Sequence, residues 1–352
     1  MPAESGSATL PVMARSSKLA AVAVAVVIVA VAATALHLRS RLRCAGFAGP
    51  GVTAGELPPP VPAGHLRLST WNLRNFPLDE RADDPELGYA RQTNICDLSD
   101  ALEGLDADVL GLAEICDTRR FPPVLRRAAG ERSYQVVLSR HGGRWGQRLA
   151  IAWDERVLEA VGRPVEVREV AVEEDLRPGL ALRLRSRSVQ DRELTVLQVH
   201  LKASPKGYAV RMEQHRAIVD WVRRWTQEAG GRGLVVMGDF NTTGREGGSV
   251  EGELETLDRL YQRVGLRRLG NATGCTEYWE GGGEPDGILQ PSQLDHVWVG
   301  GLGGDLLAAR SWLHCARAAC EALVSRPGEE DGTFWDVSDH CPLTVDLPWP
   351  AR

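Results

Sequence analysis

Apolar and polar positions alternate along most of the chain in short blocks that switch between two periods. Leu66 to Leu73 (LRLSTWNL) reads as a strand with a polar Asn near its end, and Val109 to Ala113 is a continuous apolar run closed by Glu114, the pattern of a buried strand. Between them, Ile95, Leu98, Leu102 and Leu105 fall on one side of a helix predicted over Ala90 to Leu105. Pro123 to Ala129 predicts a short helix. Tyr134 to Leu138, Leu149 to Trp153 and Gly179 to Arg185 predict strands, as does Leu194 to Leu201, which carries His200 near its end. Tyr208 to Glu228 predicts a long amphipathic helix. A buried strand, Leu234 to Met237, then runs into Gly238-Asp239-Phe240-Asn241. Glu253 to Val264 is a helix, after a Gly-rich stretch from Thr242 that reads as a mobile loop. Leu294 to Val299 and Leu343 to Val345 are late strands. No fixed-period repeat appears. This mixed order suits an α/β chain in which two packed sheets are flanked by helices, all in one domain over 66–348.

The amino-terminal part is different. Leu19 to Leu36 is built of Ala, Val, Ile and Leu, broken only by Thr34. As a helix it spans ~27 Å, enough for a thin bilayer core. It has no polar face, which disfavours a buried globular helix. Arg15 and Lys18 precede it and Arg39, Arg41 and Arg43 follow, so the reading is a short tail over 1–18 and an uncleaved membrane anchor over 19–38, with a cleaved signal peptide as the competitor. The segment 39–65, with Pro58, Pro59, Pro60 and Pro62, reads as a semi-rigid linker.

Composition narrows the picture further. The 352 residues carry a net charge of −6, with 25% charged and 43% hydrophobic, which excludes a collagen-like chain, a disordered acidic tail and a polytopic membrane protein. Because the amino-terminal segment is basic, the body is more acidic still. Such a body is not a basic-patch binder of polyanions, but an enzyme that approaches phosphate through a divalent cation remains open.

Polar residues collect at strand ends: Asn72, Glu114, His200, Asp239, Asn241, Asp295, Asp339 and His340. Loops at one end of a rigid sheet can bring such side chains together. Carboxylates and amides are hard oxygen ligands suited to Mg²⁺, with Mn²⁺ as an alternative, and two histidines supply proton transfer near neutral pH. A metal with an acid and a base has the parts needed to hydrolyse a phosphate ester. Taken singly, Asp-Phe-Asn is an ordinary turn and a strand-end His an ordinary surface residue; the ordered set carries the reading.

S-T-W-N-L-R-N at 69–75, A-E at 113–114, H-L-K at 200–202, G-D-F-N at 238–241, L-D-H at 294–296 and S-D-H-C-P at 338–342 resemble the endonuclease/exonuclease/phosphatase (DNase I-like) superfamily, in family order. The resemblance covers Leu66 to Leu347 and implies a four-layer α/β sandwich with Mg²⁺ at one rim. It implies Glu114 as the main metal carboxylate, helped by Asn72 and, on the second side, Asp339. Asp239 and Asn241 would position the attacking water and the phosphate. His340, oriented by Asp295, and His200 would be the catalytic histidines, their acid and base roles left open, with Glu131 a candidate support for His200. Ala113 departs from the Gln that many members carry there. By the same resemblance the polar loop Arg140 to Arg148 borders the substrate, where Gln147 or Arg148 could touch a phosphate. Lys202, beside a helix start, is a further candidate anion contact.

Substrate is nucleic acid first, with sphingomyelin or another phospholipid headgroup or inositol phosphate second and a phosphomonoester third; a catalytically inactive binding member of the family is the rival from a different class. No exposed aromatic hairpin suited to lipid is evident. The enzyme is expected as a monomer. Six cysteines in the body make no C-x-x-C pair. Cys96 with Cys116 is one conceivable disulfide, leaving Cys275, Cys315, Cys320 and Cys341 to pair among themselves. An oxidising compartment follows, so the catalytic domain is expected outside the cytoplasm, against the count of flanking charges.

Overall fold

The computed structural model describes residues 54–77, 92–189, 192–229, 232–280, 287–304, 306–324 and 332–349. The expected tail, the anchor and the linker up to residue 53 lie outside the described residues. Among the described residues no helix is long and apolar enough to cross a membrane.

After a single 3-10 turn at Ala54–Glu56 comes the long strand β1 (His65–Phe76), followed by α1 (Ile95–Gly104), β2 (Val109–Ile115) and α2 (Phe121–Arg127). Then come β3 (Tyr134–Leu138), β4 (Arg148–Asp154), β5 (Leu158–Ala160), β6 (Val165–Val167) and β7 (Gly179–Ser186). Strand β8 (Glu193–His200) leads into α3 (Tyr208–Ala229), β9 (Gly233–Asp239) and α4 (Val250–Gln262). After β10 (Arg267–Leu269), the strands β11 (Glu277–Trp279), β12 (Ile288–Ser292), β13 (Asp295–Gly300) and β14 (Arg310–Ser311) are short. The end of the chain holds α5 (His314–Arg317), β15 (Leu323–Val324), α6 (Gly332–Asp336) and β16 (Leu343–Pro348).

Three helix starts differ from the hydrophobic pattern: α2 begins at Phe121 rather than Pro123, and the other two differ for a capping reason. Helix α1 begins at Ile95 rather than Ala90 because the Asn94 side chain accepts from the backbone N–H groups of Cys96 and Asp97 at 3.0 and 3.3 Å. Helix α4 begins three residues before Glu253, capped by Ser249, whose Oγ accepts from Gly252 N at 3.1 Å. Such a side-chain oxygen satisfies backbone donors that the first helical turn leaves open.

The strands form a six-stranded sheet in the order β14-β16-β1-β2-β4-β3 and a seven-stranded one in the order β10-β13-β9-β8-β7-β5, with β6 on β7. A small third sheet, β11-β12-β15, sits apart from these paths. The two-residue period of each strand explains the layers. Leu66 and Leu68 of β1 meet Val196 of β8, Val235 and Met237 of β9 and Val297 and Val299 of β13 in one buried cluster between the large sheets. The alternate positions face outward: Trp71 and Leu110 pack with Leu98 and Leu102 of α1 and Val124 and Leu125 of α2. On the other side Leu197, Val236 and Trp298 pack with Ile218 and Val222 of α3 and Leu257 and Tyr261 of α4. Helices, sheet, sheet and helices thus form four layers, the expected α/β sandwich. Each fully buried aliphatic side chain contributes roughly 1.5–3 kcal/mol.

The inward row does not stay apolar to its end. After Leu66 and Leu68 come Thr70 and Asn72; after Leu194 and Val196 come Gln198 and His200; after Val235 and Met237 comes Asp239. Thr70 Oγ1 and the Gln198 amide meet across the sheets, the amide Nε2 donating at 3.2 Å. Gly111 makes room for that amide, since a Cβ there would lie 2.1 Å from Gln198 Oε1. The core therefore becomes polar toward one rim.

Candidate active site

At that rim the register sets three functional side chains in a row: His200 of β8 pairs with Asp239 of β9, and Asp239 with Asp295 of β13. Directly paired residues on one sheet face hold their Cβ atoms about 4.5–5.5 Å apart. Gly238 is required for the close approach of β9 to β8, because it has φ +140° and a Cβ would lie 2.0 Å from Val199 O. Asn72 enters from the opposite sheet. Glu114 follows a register shift in β2 and has φ 62°, a left-handed conformation that turns its side chain off the regular pleat.

The contacts connect the two sheets. Asn72 Nδ2 donates to Glu114 Oε1 at 3.2 Å and to Asp239 Oδ2 at 3.0 Å. The other Glu114 oxygen accepts from Asn75 N at 2.7 Å. His200 Nε2 lies 3.5 Å from Glu114 Oε1 and 3.4 Å from Asp239 Oδ2. On the far side His340 Nδ1 pairs with Asp295 Oδ2 at 2.8 Å, and His340 Nε2 faces Asp239 Oδ2 at 3.8 Å. Asn241, at φ 50°, donates its backbone N–H to Asp239 Oδ1 at 2.9 Å and its amide to Leu201 O at 3.2 Å. Asp339 is half-buried, and its charge acts on Glu114, Glu277 and His340.

Burial dominates the proton affinities. It raises Glu114, opposed by the Arg177 charge, and it raises Asp239 to about 6, with His340 opposing and Asp295 adding. His200 is pushed well below the usual histidine range by burial, then by Arg177 and His340, so it is neutral. His340 is also buried, which opposes its charge, but Asp295 and then Asp239 and Asp339 outweigh that and hold it protonated. Two histidines in opposite proton states therefore flank Asp239.

Two residues with no motif complete the rim. Arg177, buried and lowered by burial against the pull of Glu114 and Asp239, donates from Nε to His200 O at 3.1 Å and from Nη1 to Gln147 Oε1. Gln147 in turn donates to Asn75 Oδ1 at 2.7 Å. Glu277 forms an isolated antiparallel bridge with His340, and its buried Oε2 has no hydrogen-bond partner among the described residues. Burial, with Asp339, Asp239 and Asp295 adding and His340 opposing, raises Glu277 to about 8. Neither had a signal in the sequence: Glu277 lies on a three-residue strand and Arg177 in a loop before β7.

The structure thus brings Asn72, Glu114, His200, Asp239, Asn241, Asp295, Asp339 and His340 to one rim, with Gln147 at its edge. Arg148 opens β4 opposite Ile115 and has no hydrogen bond or ion pair to the site among the described residues. Lys202 is held by its backbone, its N–H donating to Gln214 Oε1 at 2.8 Å, and its ammonium has no ion pair among the described residues. Glu131 is exposed and lies just before β3, whose Tyr134 pairs with Asp154 at the end of β4 away from Arg148; it does not support His200. His296 of the L-D-H motif faces outward and accepts or donates to Thr242 Oγ1 at 2.8 Å, away from the catalytic row.

The oxygen set fits a hard divalent cation. Buried carboxylates raised by burial gain from a cation that neutralises them, and Glu114 and Asp339 have oxygens to offer. Asn72, in the orientation described, presents its NH₂ to both carboxylates and its oxygen to Arg74 N at 3.0 Å. In this orientation the amide links Glu114 to Asp239 across the two sheets.

Loops around the rim are braced from behind. Arg211 and Glu253, both fully buried, pair at 2.7 and 2.9 Å. Arg211 also donates to Ser204 O and Gly244 O at 3.0 Å each, and Glu253 accepts from Gly244 N at 2.7 Å. The start of the stretch after Thr242 is thus tied down rather than open. Disulfides Cys275–Cys320 and Cys315–Cys341 brace the other side, the latter next to His340. These pairs lie within the expected set of four. Cys96 is disulfide-bonded, but not to Cys116, which is a thiol with its sulfur 3.8 Å from Asn75 Oδ1. The chain after Glu114 turns toward β1, Cys116 N donating to Phe76 O at 2.8 Å, while Asn94 at the start of α1 is bonded to Asp336.

Residues 69–340 match the model described as the Endonuclease/Exonuclease/phosphatase family. Among solved structures, the human Nocturnin catalytic domain with bound sulfate anion is similar at 18% identity, covering 80% of this chain and 93% of that one, with a TM-score of 0.52. TDP2 from C. elegans is similar at 15% identity, covering 87% and 79%, with a TM-score of 0.53. D. rerio TDP2 complexed with single strand DNA product is similar at 14% identity, covering 80% and 98%, with a TM-score of 0.51. These likenesses show a shared fold. No curated protein matches the chain.

Proposed function

Because the chain belongs to the Endonuclease/Exonuclease/phosphatase family, whose members are in general metal-dependent phosphoesterases and nucleases, we propose that it hydrolyses phosphodiester bonds of nucleic acid with Mg²⁺, or Mn²⁺ in its place. The observation that carries the reading is the pair of buried histidines, His200 and His340, whose Nε2 atoms lie 3.4 and 3.8 Å from the same Asp239 oxygen. A phosphodiester needs both a proton acceptor at the attacking water and a donor at the departing oxygen, and this pair with its carboxylate supplies both.

Glu114 and Asp339 would hold the cation, with Asn72 orienting the carboxylates. When bound, such a cation supplies positive charge to the phosphoryl oxygens and lowers the energy of the developing negative charge. Asp239, raised to about 6, takes a proton from water, and Asn241 N–H fixes its other oxygen. His340 gives Nδ1–H to Asp295 and presents Nε2–H as the proton donor to the departing oxygen. His200, neutral, carries its proton on Nε2, the nitrogen that faces the carboxylates, and donates to the charge that develops at phosphorus. Arg177 adds a fixed positive charge to the same side.

The test is a panel of plasmid DNA, RNA, a generic phosphodiester, sphingomyelin and inositol phosphates, offered with Mg²⁺ or EDTA. Cleavage of nucleic acid and of the generic diester, abolished by EDTA, is expected. Glu114→Gln and His340→Ala should each lose about 10²-fold or more in kcat. No turnover of any diester, or variants equal to wild type, would overturn the proposal.

A further inference from the structure

Five large apolar side chains are exposed among the described residues, and two of them, Trp145 at 72% and Trp279 at 43%, belong to segments that also carry rim residues. Trp145 is two residues before Gln147, which reaches Asn75 beside Glu114. Trp279 is two residues after Glu277, the bridge partner of His340. Residues two apart in a strand share a face. Trp279 therefore continues outward the face of β11 on which Glu277 meets the site, while Tyr278 between them is buried.

Strand order separates the two. Trp145 lies just before β4, and the Glu277–His340 bridge just before β16, and in the sheet the order is β16-β1-β2-β4. Three strand spacings amount to ~14 Å. The strands between them carry Asn72 and Glu114. The segments that carry the two tryptophans thus reach the rim from opposite sides of Asn72 and Glu114.

The Trp145 loop is held in place rather than free. Glu166 accepts from the backbone of Arg140 and His141 and pairs with the His141 ring at 2.7 Å, and Arg144 N donates to Asp175 O at 2.8 Å. Arg140, His141 and Arg144 are exposed on this loop, and the Arg144 guanidinium lies 5.2 Å from the Trp145 ring centroid. Aromatic rings with cationic neighbours suit a strand whose bases stack and whose phosphates seek positive charge. Lipid insertion calls instead for adjacent apolar side chains on one tip. Here Trp145 is flanked by Arg144 and Gly146, and Trp279 stands a rim's width away on a strand face shared with a carboxylate.

We propose that Trp145 and Trp279 are stacking platforms for bases on either side of the scissile phosphate, which makes single-stranded nucleic acid the substrate. This rests on the phosphodiesterase reading above. A duplex, whose bases are stacked on one another, cannot offer them to both rings at once.

The experiment compares wild type with Trp145→Ala, Trp279→Ala and the corresponding Phe variants. A single-stranded oligonucleotide, its duplex and a small diester without aromatic rings, two abasic deoxyribose units joined by one phosphate, are the substrates, with oligonucleotide binding measured in EDTA. Each Ala variant should raise KM and Kd for the single strand roughly five- to a hundredfold. Phe should restore most of the loss, and hydrolysis of the small diester should be unchanged. Ala variants that bind the oligonucleotide like wild type overturn the proposal. So does an equal loss on the small diester, which would mark a structural role. Loss of binding to phosphatidylcholine vesicles with oligonucleotide binding intact would assign the tryptophans to a membrane surface and also overturn it. If wild type cleaves the small diester but no single strand, this inference fails and the phosphodiesterase reading stands; if it cleaves neither, both fail.

Discussion

Glu277 offers a test of the site's electrostatics that needs no substrate. Its carboxyl is buried and its Oε2 has no hydrogen-bond partner among the described residues; burial and three neighbouring acids raise it from 4.5 to about 8, against the charge of His340. The folded protein therefore keeps a proton on Glu277 at pH values where the unfolded chain has released it. Unfolding then releases a proton, so stability falls as pH rises between 4.5 and about 8 and is flat with respect to this group below that window. At ~1.4 kcal/mol per pH unit, the full loss above the window is about 3–5 kcal/mol. Glu277→Gln removes the ionisation and keeps the shape. Urea unfolding in EDTA should find the two proteins similar at pH 4.5 and the Gln variant more stable by that amount at pH 9. His340 and Asp239 titrate in both proteins, so the difference isolates Glu277. A difference that does not change with pH would refute the reasoning, and so would a variant less stable at alkaline pH.

Three further outcomes follow from contacts in the fold. Glu253→Ala leaves Arg211 buried and without its carboxylate, so urea unfolding should show a loss of about 3–5 kcal/mol. Gly111→Ala places a Cβ against the Gln198 amide and should cost about 1–3 kcal/mol by the same measurement. Asp295→Asn removes the negative charge that outweighs burial at His340, so the imidazole should titrate lower in NMR spectra of the metal-free protein. Its kcat on a generic phosphodiester should fall at least tenfold.

Much of the scaffold was legible because it obeys simple periods. The apolar runs of β1, β2, β8 and β9 end in polar residues, and the same two-residue alternation that buries Leu68, Val196 and Met237 turns Asn72, His200 and Asp239 inward at the rim. Most of the strands of two to five residues were not legible, β3 excepted. β5, β6, β10, β11, β12, β14 and β15 are too short for a period and owe their form to the neighbours they pair with. Glu277 was missed with β11, since only its bridge to His340 makes it a rim residue. Arg177 was missed because its contacts, His200 O and Gln147, come from distant segments. Trp145 was in view as part of the polar loop before β4, but its 72% exposure was not, because exposure depends on how the loop is held against Glu166 and Asp175. Pairing within Cys275, Cys315, Cys320 and Cys341 was foreseeable as a set. That Cys116 turns toward Asn75 was not, because the shift at Glu114 reverses the direction a regular strand would give.

Water attack on phosphorus is the central claim, and oxygen labelling tests it most directly. Hydrolysis of a single-stranded oligonucleotide in H₂¹⁸O with Mg²⁺ should place one ¹⁸O in the phosphate of the product under single-turnover conditions, read by mass spectrometry. Product phosphate without the label would contradict the account.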